Sequence, residues 1–118
     1  MELWVEPVGT FIIARVRGTP TEALLEECQK RVLDLARETG KHCVLYDMLE
    51  MDAPAAAVAW SQRKLDEKSG DHGLRRAIVV SSTKIAYLAR VAFGDGDYHV
   101  FYSDMTAAVT WLNKEPSC

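Results

Sequence analysis

The residues best placed to do chemistry are three carboxylates, Asp47, Glu50 and Asp52, which lie close together along the chain. They follow an apolar run over residues 43–46 that predicts a buried strand, and open α/β sheets place their sites at the carboxyl ends of such strands. Asp47 and Asp52 could act there as a carboxylate pair in proton transfer. No nearby His or Lys completes a catalytic set. The commoner use of Asp52 at this point is to cap a helix, with the other acids solvated.

Apolar residues are interleaved with these acids. Met48, Leu49 and Met51 would form an adaptable contact patch if the turn is exposed, or would belong to the core if they fold inward. We therefore predict that a partner protein binds at this turn. The candidate residues for that contact are Asp47, Met48, Leu49, Glu50, Met51, Asp52 and Pro54.

Nucleophiles and phosphate-binding loops give little support for an enzyme. Ser81 and Ser82 follow a predicted strand, where a nucleophile can be presented, but no GxSxG surrounds them and helix capping is the commoner role. Neither GxGxxG nor GxxxxGK[ST] occurs. We predict no catalytic residue and no cofactor.

Metal ligands are also sparse. The histidines, His42, His72 and His99, lack the spacing of a zinc motif. The segment Gly94–Asp97 contains two aspartates, but a calcium loop starting at Asp95 would place Thr106 where a bidentate glutamate is required. A turn is the better interpretation of this segment, and no metal site is predicted.

The elements that must position these residues alternate between strands and helices. Gly9 predicts a hairpin between strands over 2–7 and 10–17. Thr19 as N-cap and Pro20 at the first helical position predict a helix, which Gly40 ends. The remaining predicted elements are a strand over 41–46, a helix starting at Asp52 and Pro54, a strand over 77–80, a helix over 84–93, a strand over 99–102 and a last helix capped by Asp104.

The helix over 84–93 has two interpretations. It is apolar and carries Lys84 and Arg90, so it could lie on a membrane surface. It is short, however, and the apolar stripe of Ile85, Leu88 and Ala92 is typical of a core helix. The core interpretation is favoured.

Size and charge exclude several classes of protein. The chain has 118 residues, which suits one domain over 1–118. The formal net charge of −3 gives no general attraction for phosphate backbones, so we expect no nucleic-acid partner. No apolar stretch is long enough for a transmembrane segment. Cys28 and Cys43 fall among apolar residues and predict buried thiols; with no secretory signal at the start, the expected compartment is the cytoplasm.

Three stretches of the sequence together resemble one known family. Residues 8–18 look like an opening hairpin that ends in glycine before the first helix, and Val44–Asp47 looks like a central strand ending in Asp. Tyr98–Asp104 with Ala107–Leu112 looks like a final strand followed by an Ala-x-x-Trp-Leu helix. This combination is similar to the STAS family, the anti-sigma-factor-antagonist fold, and most of all to its uncharacterised SpoIIAA-like bacterial group.

The chain departs from the classical family at one turn. The resemblance implies a phosphorylatable Ser or Thr just after the central strand, in an Asp-Ser-Ser/Thr-Gly turn, where a phosphate would meet free amide protons at a helix start. Here Asp47 is followed by Met48, Leu49 and Glu50, and Asp52 is followed by Ala53 and Pro54. Because this turn has no hydroxyl, we expect no phosphorylation there.

The sequence therefore predicts an α/β, STAS/SpoIIAA-like fold of order ββαβαβαβα, with a mostly parallel sheet, an N-terminal hairpin strand and about four helices. The predicted function is a non-catalytic binding or regulatory module. Two alternatives stay open: a carrier of an apolar small molecule or lipid between helices and sheet, and an enzyme that uses Asp47 or Asp52. A homodimer also stays open.

Overall fold

A computed structural model describes residues 2–68, 73–94 and 97–114. The predictions made for His72, for Asp95 and Gly96, and for Cys118 lie outside these residues. The elements are β1 (Glu2–Val8), β2 (Phe11–Arg17), α1 (Glu22–Thr39), β3 (Cys43–Met48), α2 (Ala56–Lys68), β4 (Arg75–Val80), α3 (Thr83–Phe93), β5 (Tyr98–Tyr102) and α4 (Met105–Asn113). The predicted order ββαβαβαβα is confirmed.

The five strands form one sheet in the order β1-β2-β3-β4-β5. β1 and β2 are antiparallel, and every later pair is parallel. Gly9 makes the predicted hairpin turn with a φ of 58°, a backbone conformation that few residues other than glycine adopt readily. The mostly parallel sheet with an N-terminal hairpin is therefore confirmed.

The helices cover the two faces of the sheet unequally. Successive parallel strands advance in one direction, so right-handed crossovers place α1, α2 and α3 on the same face. The core on that face includes Ile12, Val44 and Ile78. α4 covers the other face over β3, β4 and β5, where Leu45 and Leu112 belong to a second, smaller core. All six residues of β3 are buried, as its continuous apolar run predicts.

The first helix starts two residues later than predicted. Thr21, not Thr19, is the N-cap, and its side chain accepts a hydrogen bond from the amide of Leu24 at 3.2 Å. The reason is that the ladder of β2 continues past its last residue: the amide of Gly18 donates to the carbonyl of Glu50 at 3.1 Å. Gly18 is therefore tied to the edge of the sheet, with a φ of 78°, and the helix begins only after it.

Asp52 does not cap the second helix, which is also a correction. Its own amide donates to the carbonyl of Gly18 at 2.9 Å, so Asp52 continues the strand pairing. α2 begins at Ala56, and the Asp52 carboxylate instead accepts from the Thr19 hydroxyl at 3.3 Å. Likewise, the predicted strand over 41–46 is shifted to Cys43–Met48, because Asp47 and Met48 pair with Val79 and Val80 of β4.

The other boundaries differ by at most two residues. Ser82 is the N-cap of α3 and accepts from the amide of Ile85 at 3.2 Å, so the capping interpretation is confirmed for Ser82. Ser81 is exposed. Asp104 caps α4 as predicted.

A buried ion pair attaches α2 to the sheet. Within α2 only Ala59 is buried, so apolar contact holds this helix weakly. Arg76 of β4 is 2% exposed, and its Nη1 lies 3.1 Å from Oδ1 of Asp66 in α2. The guanidinium also lies over the ring of Phe93 in α3, 4.8 Å from its centroid. The same charge pair therefore joins α2, β4 and α3.

We expect Arg76→Met to lower the free energy of unfolding by about 3–5 kcal/mol, because it leaves the Asp66 carboxylate without its buried partner. Adding Asp66→Leu should recover part of that loss, since the uncompensated charge is then removed. Arg31→Ala, which breaks the exposed pair of Arg31 with Glu27, should cost less than about 0.5 kcal/mol.

Urea denaturation of the four proteins measures these differences. A double variant less stable than Arg76→Met, or a loss at Arg31 as large as at Arg76, would show that this ion pair does not hold the helix face.

Candidate functional site

The turn after β3 is hydrogen-bonded to the end of β2. Gly18 and Met51 form a parallel bridge, made by the bonds from the Gly18 amide to Glu50 and from the Asp52 amide to Gly18. The amide of Met51 also donates to the carbonyl of Met48 at 3.3 Å. The turn is thus a pinned extension of the sheet edge rather than a loose loop.

The predicted partner-binding residues of this turn point in two directions. Met48 and Met51 are each 7% exposed and belong to the core under the helices. Leu49 is half-buried, while Glu50 and Asp52 are exposed. The two remaining residues of the set, Asp47 and Pro54, are buried. Of the two alternatives, the methionines therefore belong to the core, and the turn does not offer one continuous apolar patch to a partner.

Asp47 is occupied by structural contacts. Its Oδ2 accepts from Nε of Arg15 at 2.8 Å, and its Oδ1 accepts from the amide of Leu49 at 3.2 Å. The bond to Leu49 shapes the backbone of the turn, as Asp commonly does. Asp52 has a different partner, the Thr19 hydroxyl. In the part of the chain that the structure describes, no hydrogen bond joins the Asp47 and Asp52 carboxylates.

The exposed side of the turn is continuous with the hairpin. Trp4, Arg15 and Asp47 are direct neighbours in the strand register across β1, β2 and β3. Nε of Arg17 lies 2.7 Å from Oε2 of Glu50, and the Arg17 guanidinium lies over the indole of Trp4, 5.9 Å from its centroid. We call these five residues, Trp4, Arg15, Arg17, Asp47 and Glu50, the hairpin surface.

The course of α4 explains why the hairpin surface is open. α4 follows the end of β5, with Asp104 as its N-cap, and at its last residue Asn113 accepts a hydrogen bond from the Thr10 hydroxyl at 2.9 Å, beside the start of β2. It thus crosses the sheet towards the start of β2 and leaves the end of that strand uncovered. Trp4 remains 45% exposed as a result. Sequence reasoning missed Trp4, although the charged alternation of Arg15 and Arg17 marks a solvent-facing strand.

Beneath the turn lies a cavity of about 50 Å³ between the sheet and α1, α2 and α3. Met48, Met51 and Pro54 of the turn form part of its wall. Almost all of the wall is apolar. Small side chains facing it from α2 and α3 leave the space open, namely Ala59, Ala89 and Ala92.

A polar network borders one side of the cavity. Nε2 of Gln62 donates to Oε1 of Gln29 at 2.6 Å, and Nε2 of Gln29 donates to Asp66 at 3.5 Å. Asp66 carries this network on to Arg76. Both glutamines line the cavity, so their amides are among its polar groups.

Two titratable groups in the cavity wall are kept neutral by burial. Burial raises the pKa of Cys28 to about 12, against a smaller lowering by Arg31. Burial also raises the pKa of Tyr46, with a smaller rise from Cys28 and a lowering by Arg76. Cys28 is a free buried thiol as predicted, whereas Cys43 is disulfide-bonded, so the prediction of a second buried thiol is wrong.

The other candidate residues have structural environments. His99 is exposed and packs against Phe101 and Trp111, with ring centroids 4.8 and 5.5 Å apart, and His42 is half-buried. Ile85 and Leu88 of α3 are buried in the core.

Among residues 2–68, 73–94 and 97–114, no group of three or more His, Cys, Asp or Glu side chains could hold a metal ion. No helix in those ranges is long and apolar enough to cross a membrane.

Comparisons with known proteins agree on the fold. The family model described as SpoIIAA-like matches residues 11–113. An uncharacterised DUF3478-family protein from Shewanella loihica PV-4, described as having a SpoIIAA-like fold, is 25% identical with a TM-score of 0.63; the match covers 94% of this chain and 92% of that one. The anti-sigma factor antagonist SpoIIAA in its unphosphorylated form is 9% identical, with a TM-score of 0.68 over 97% of this chain and all of that one. No curated protein matches the sequence.

We expect Cys28 to resist alkylation by iodoacetamide in the folded protein near pH 8. The thiolate is the reactive form, and a pKa of about 12 leaves very little of it at that pH. Lys30→Cys, on an exposed position of the same helix, is the matched control. Mass spectrometry of peptides should show rapid labelling at residue 30, and labelling at residue 28 only in denaturant. Equal rates at both positions in the folded protein would contradict the burial of Cys28.

Proposed function

Because the chain belongs to the SpoIIAA-like family, we propose that it is a non-catalytic regulatory module that binds a partner protein. One of the solved structures that it resembles is named an anti-sigma factor antagonist, which is a regulator of that kind. At 9% identity that likeness concerns the fold alone. The proposal therefore depends on the surfaces of this chain.

The observation that carries the proposal is the hairpin surface. An exposed Trp4 lies under the guanidinium of Arg17, with Arg15 beside it. Trp and Arg are the residue types that most often dominate the energy of protein interfaces. Their ion pairs with Asp47 and Glu50 hold the two arginines in place, so little side-chain entropy is lost when a partner binds.

We propose that the partner contacts this surface together with the exposed side of the turn. Of the residues predicted from the sequence, Leu49, Glu50 and Asp52 can touch a partner directly. Met48, Met51 and Pro54 would act from beneath, by supporting the turn. Asp47 would orient Arg15.

Our proposal does not include regulation by phosphorylation at this turn. Residues 52–58, which lead into α2, contain no Ser, Thr or Tyr. We propose instead that the constant charge pattern of the hairpin surface supports partner binding without modification. We propose the cytoplasm for this chain on the sequence expectation alone, and the disulfide bond of Cys43 does not support that compartment.

The two alternatives differ in their support. An enzyme using Asp47 would need that carboxylate free, but both of its oxygens accept hydrogen bonds. The binding of an apolar molecule is favoured by one observation, the apolar cavity between the helices and the sheet. It is a second candidate function, and it is compatible with partner binding because the two sites lie on opposite sides of the same turn.

We expect Trp4→Ala to weaken capture of the partner by roughly tenfold or more, because truncating a central aromatic anchor typically has that effect. The control is Trp60→Ala in α2. Trp60 is 51% exposed and lies under Arg63, so it matches Trp4 in exposure and in its arginine contact.

Thermal unfolding first shows that the wild type and both variants are folded. Each of the three is then used for affinity capture from a lysate of the native host, and quantitative mass spectrometry compares the captured proteins. Proteins lost with Trp4→Ala and retained with Trp60→Ala support the proposal. Identical captured sets for the wild type and Trp4→Ala would show that this surface binds no partner.

A further inference from the structure

The cavity beneath the turn has the shape and chemistry of a ligand site. Its wall is apolar apart from the two glutamine amides, the Cys28 thiol and the Tyr46 hydroxyl, and at about 50 Å³ it can hold guest atoms without rearrangement. That volume is about a third of the engineered 150 Å³ cavity that accepts benzene. A ring therefore needs more room than the cavity offers, whereas a straight hydrocarbon chain can enter end first.

The burial of the wall residues shows where a chain would enter. Among the described residues that line the cavity, only Leu25 of α1 and Gln62 of α2 are half-buried, and the others are buried. The cavity therefore meets solvent between α1 and α2. A ligand entering there would pass its apolar end inward and keep its polar end beside the Gln62 amide.

The inner wall can adapt to such a chain. Met48 and Met51 are unbranched and flexible, so they can change rotamer as more carbons enter. On the facing helices the wall is formed by small side chains, which take up little of the space: Ala59, Ala89 and Ala92. The Gln29–Gln62 bond and the Asp66–Arg76 pair fix α2 at the same time. The part of the wall that can yield is therefore the Met48 and Met51 side chains, and Met51 passes a displacement to the turn that carries it.

We propose that this cavity binds the end of an unbranched alkyl chain, entered between Leu25 and Gln62, and that its occupancy shifts the turn carrying Glu50. Met51 touches the cavity directly after Glu50, and Glu50 holds Arg17 of the hairpin surface. Filling the cavity thereby changes the geometry of that surface. The regulatory meaning of this shift rests on the proposed partner binding, but the ligand site does not.

The test is an NMR titration with two alcohols of equal carbon number, octan-1-ol and cyclooctanol. The protein carries ¹³C-methyl methionine, and substitutions to leucine assign the signals. The methyl signals of Met48 and Met51 should shift with octan-1-ol, with an affinity roughly tenfold or more above that for cyclooctanol. Met105, which packs on the opposite face of the sheet, should not shift and is the internal control.

Two variants locate the ligand. Ala89→Leu fills the cavity and Leu25→Trp blocks its entrance, and each should weaken octan-1-ol binding by roughly tenfold or more. Ala57→Leu, on an exposed position of α2, should leave binding unchanged. Leu25 is only half-buried, so its variant tests the site even where Ala89→Leu fails to fold.

Three results would overturn the site: no shift at Met48 and Met51, equal binding of the two alcohols, or equal shifts at Met105. The coupling is tested separately by the backbone amide signals of Leu49 and Glu50, which should follow the same binding curve. If the amide signals do not shift while the methyl signals saturate, the proposed coupling between the cavity and the turn is wrong, but the ligand site is still supported. Failure of the Trp4→Ala capture experiment would overturn partner binding without touching either result.

Discussion

The buried pair of Arg76 and Asp66 is the interaction on which the helix-covered face depends. α2 has little apolar surface turned to the core, and only Ala59 of this helix is buried. A helix with so small an apolar stripe gains little from the hydrophobic effect. The charge pair, together with the Gln29–Gln62 bond, fixes its position above the sheet. The gap that remains between α2, α3 and the sheet is the cavity.

The turn after β3 links the two sides of the structure. A turn at Leu49 and Glu50 interrupts the strand, and the bridge from Met51 to Gly18 restores the pairing, so that the neighbouring side chains of Glu50 and Met51 lie on opposite faces. Met51 is therefore directed to the cavity, while Glu50 is directed to Arg17. One short segment thus belongs both to the apolar core and to the exposed hairpin surface, and a change on one side is transmitted to the other through the same backbone.

The family relationship concerns the scaffold more than the chemistry. The fold is shared with a structure that is only 9% identical, because it needs only the alternation of strands and helices and a covered central strand. The site residues follow no such pattern. In this chain the turn offers carboxylates and methionines, and its charges are engaged with arginines of the hairpin. Function in this family has to be argued from each chain's own side chains.

Local signals in the sequence were sufficient for the architecture. Hydrophobic periodicity, Gly9, Gly40 and the Asp104 cap correctly predict the order of elements, the hairpin and two helix ends. These features act over a few residues, where backbone sterics and capping bonds decide the conformation. The sequence wrongly predicted Thr19 and Asp52 as helix N-caps. Strand pairing between Gly18 and Met51, which are far apart in sequence, holds both residues at the edge of the sheet instead.

The candidate site depended on tertiary structure. The sequence by itself placed Asp47, Met48 and Glu50 around the end of the central strand, since that follows from chain order. It left open which of them are exposed, because a methionine in a turn is equally suited to core and to surface. The exposure of Trp4, the burial of Arg76 and the cavity arise from the diagonal path of α4 and the packing of three helices. The packing of these helices depends on contacts between residues from the whole chain, so no short segment of the sequence determines it.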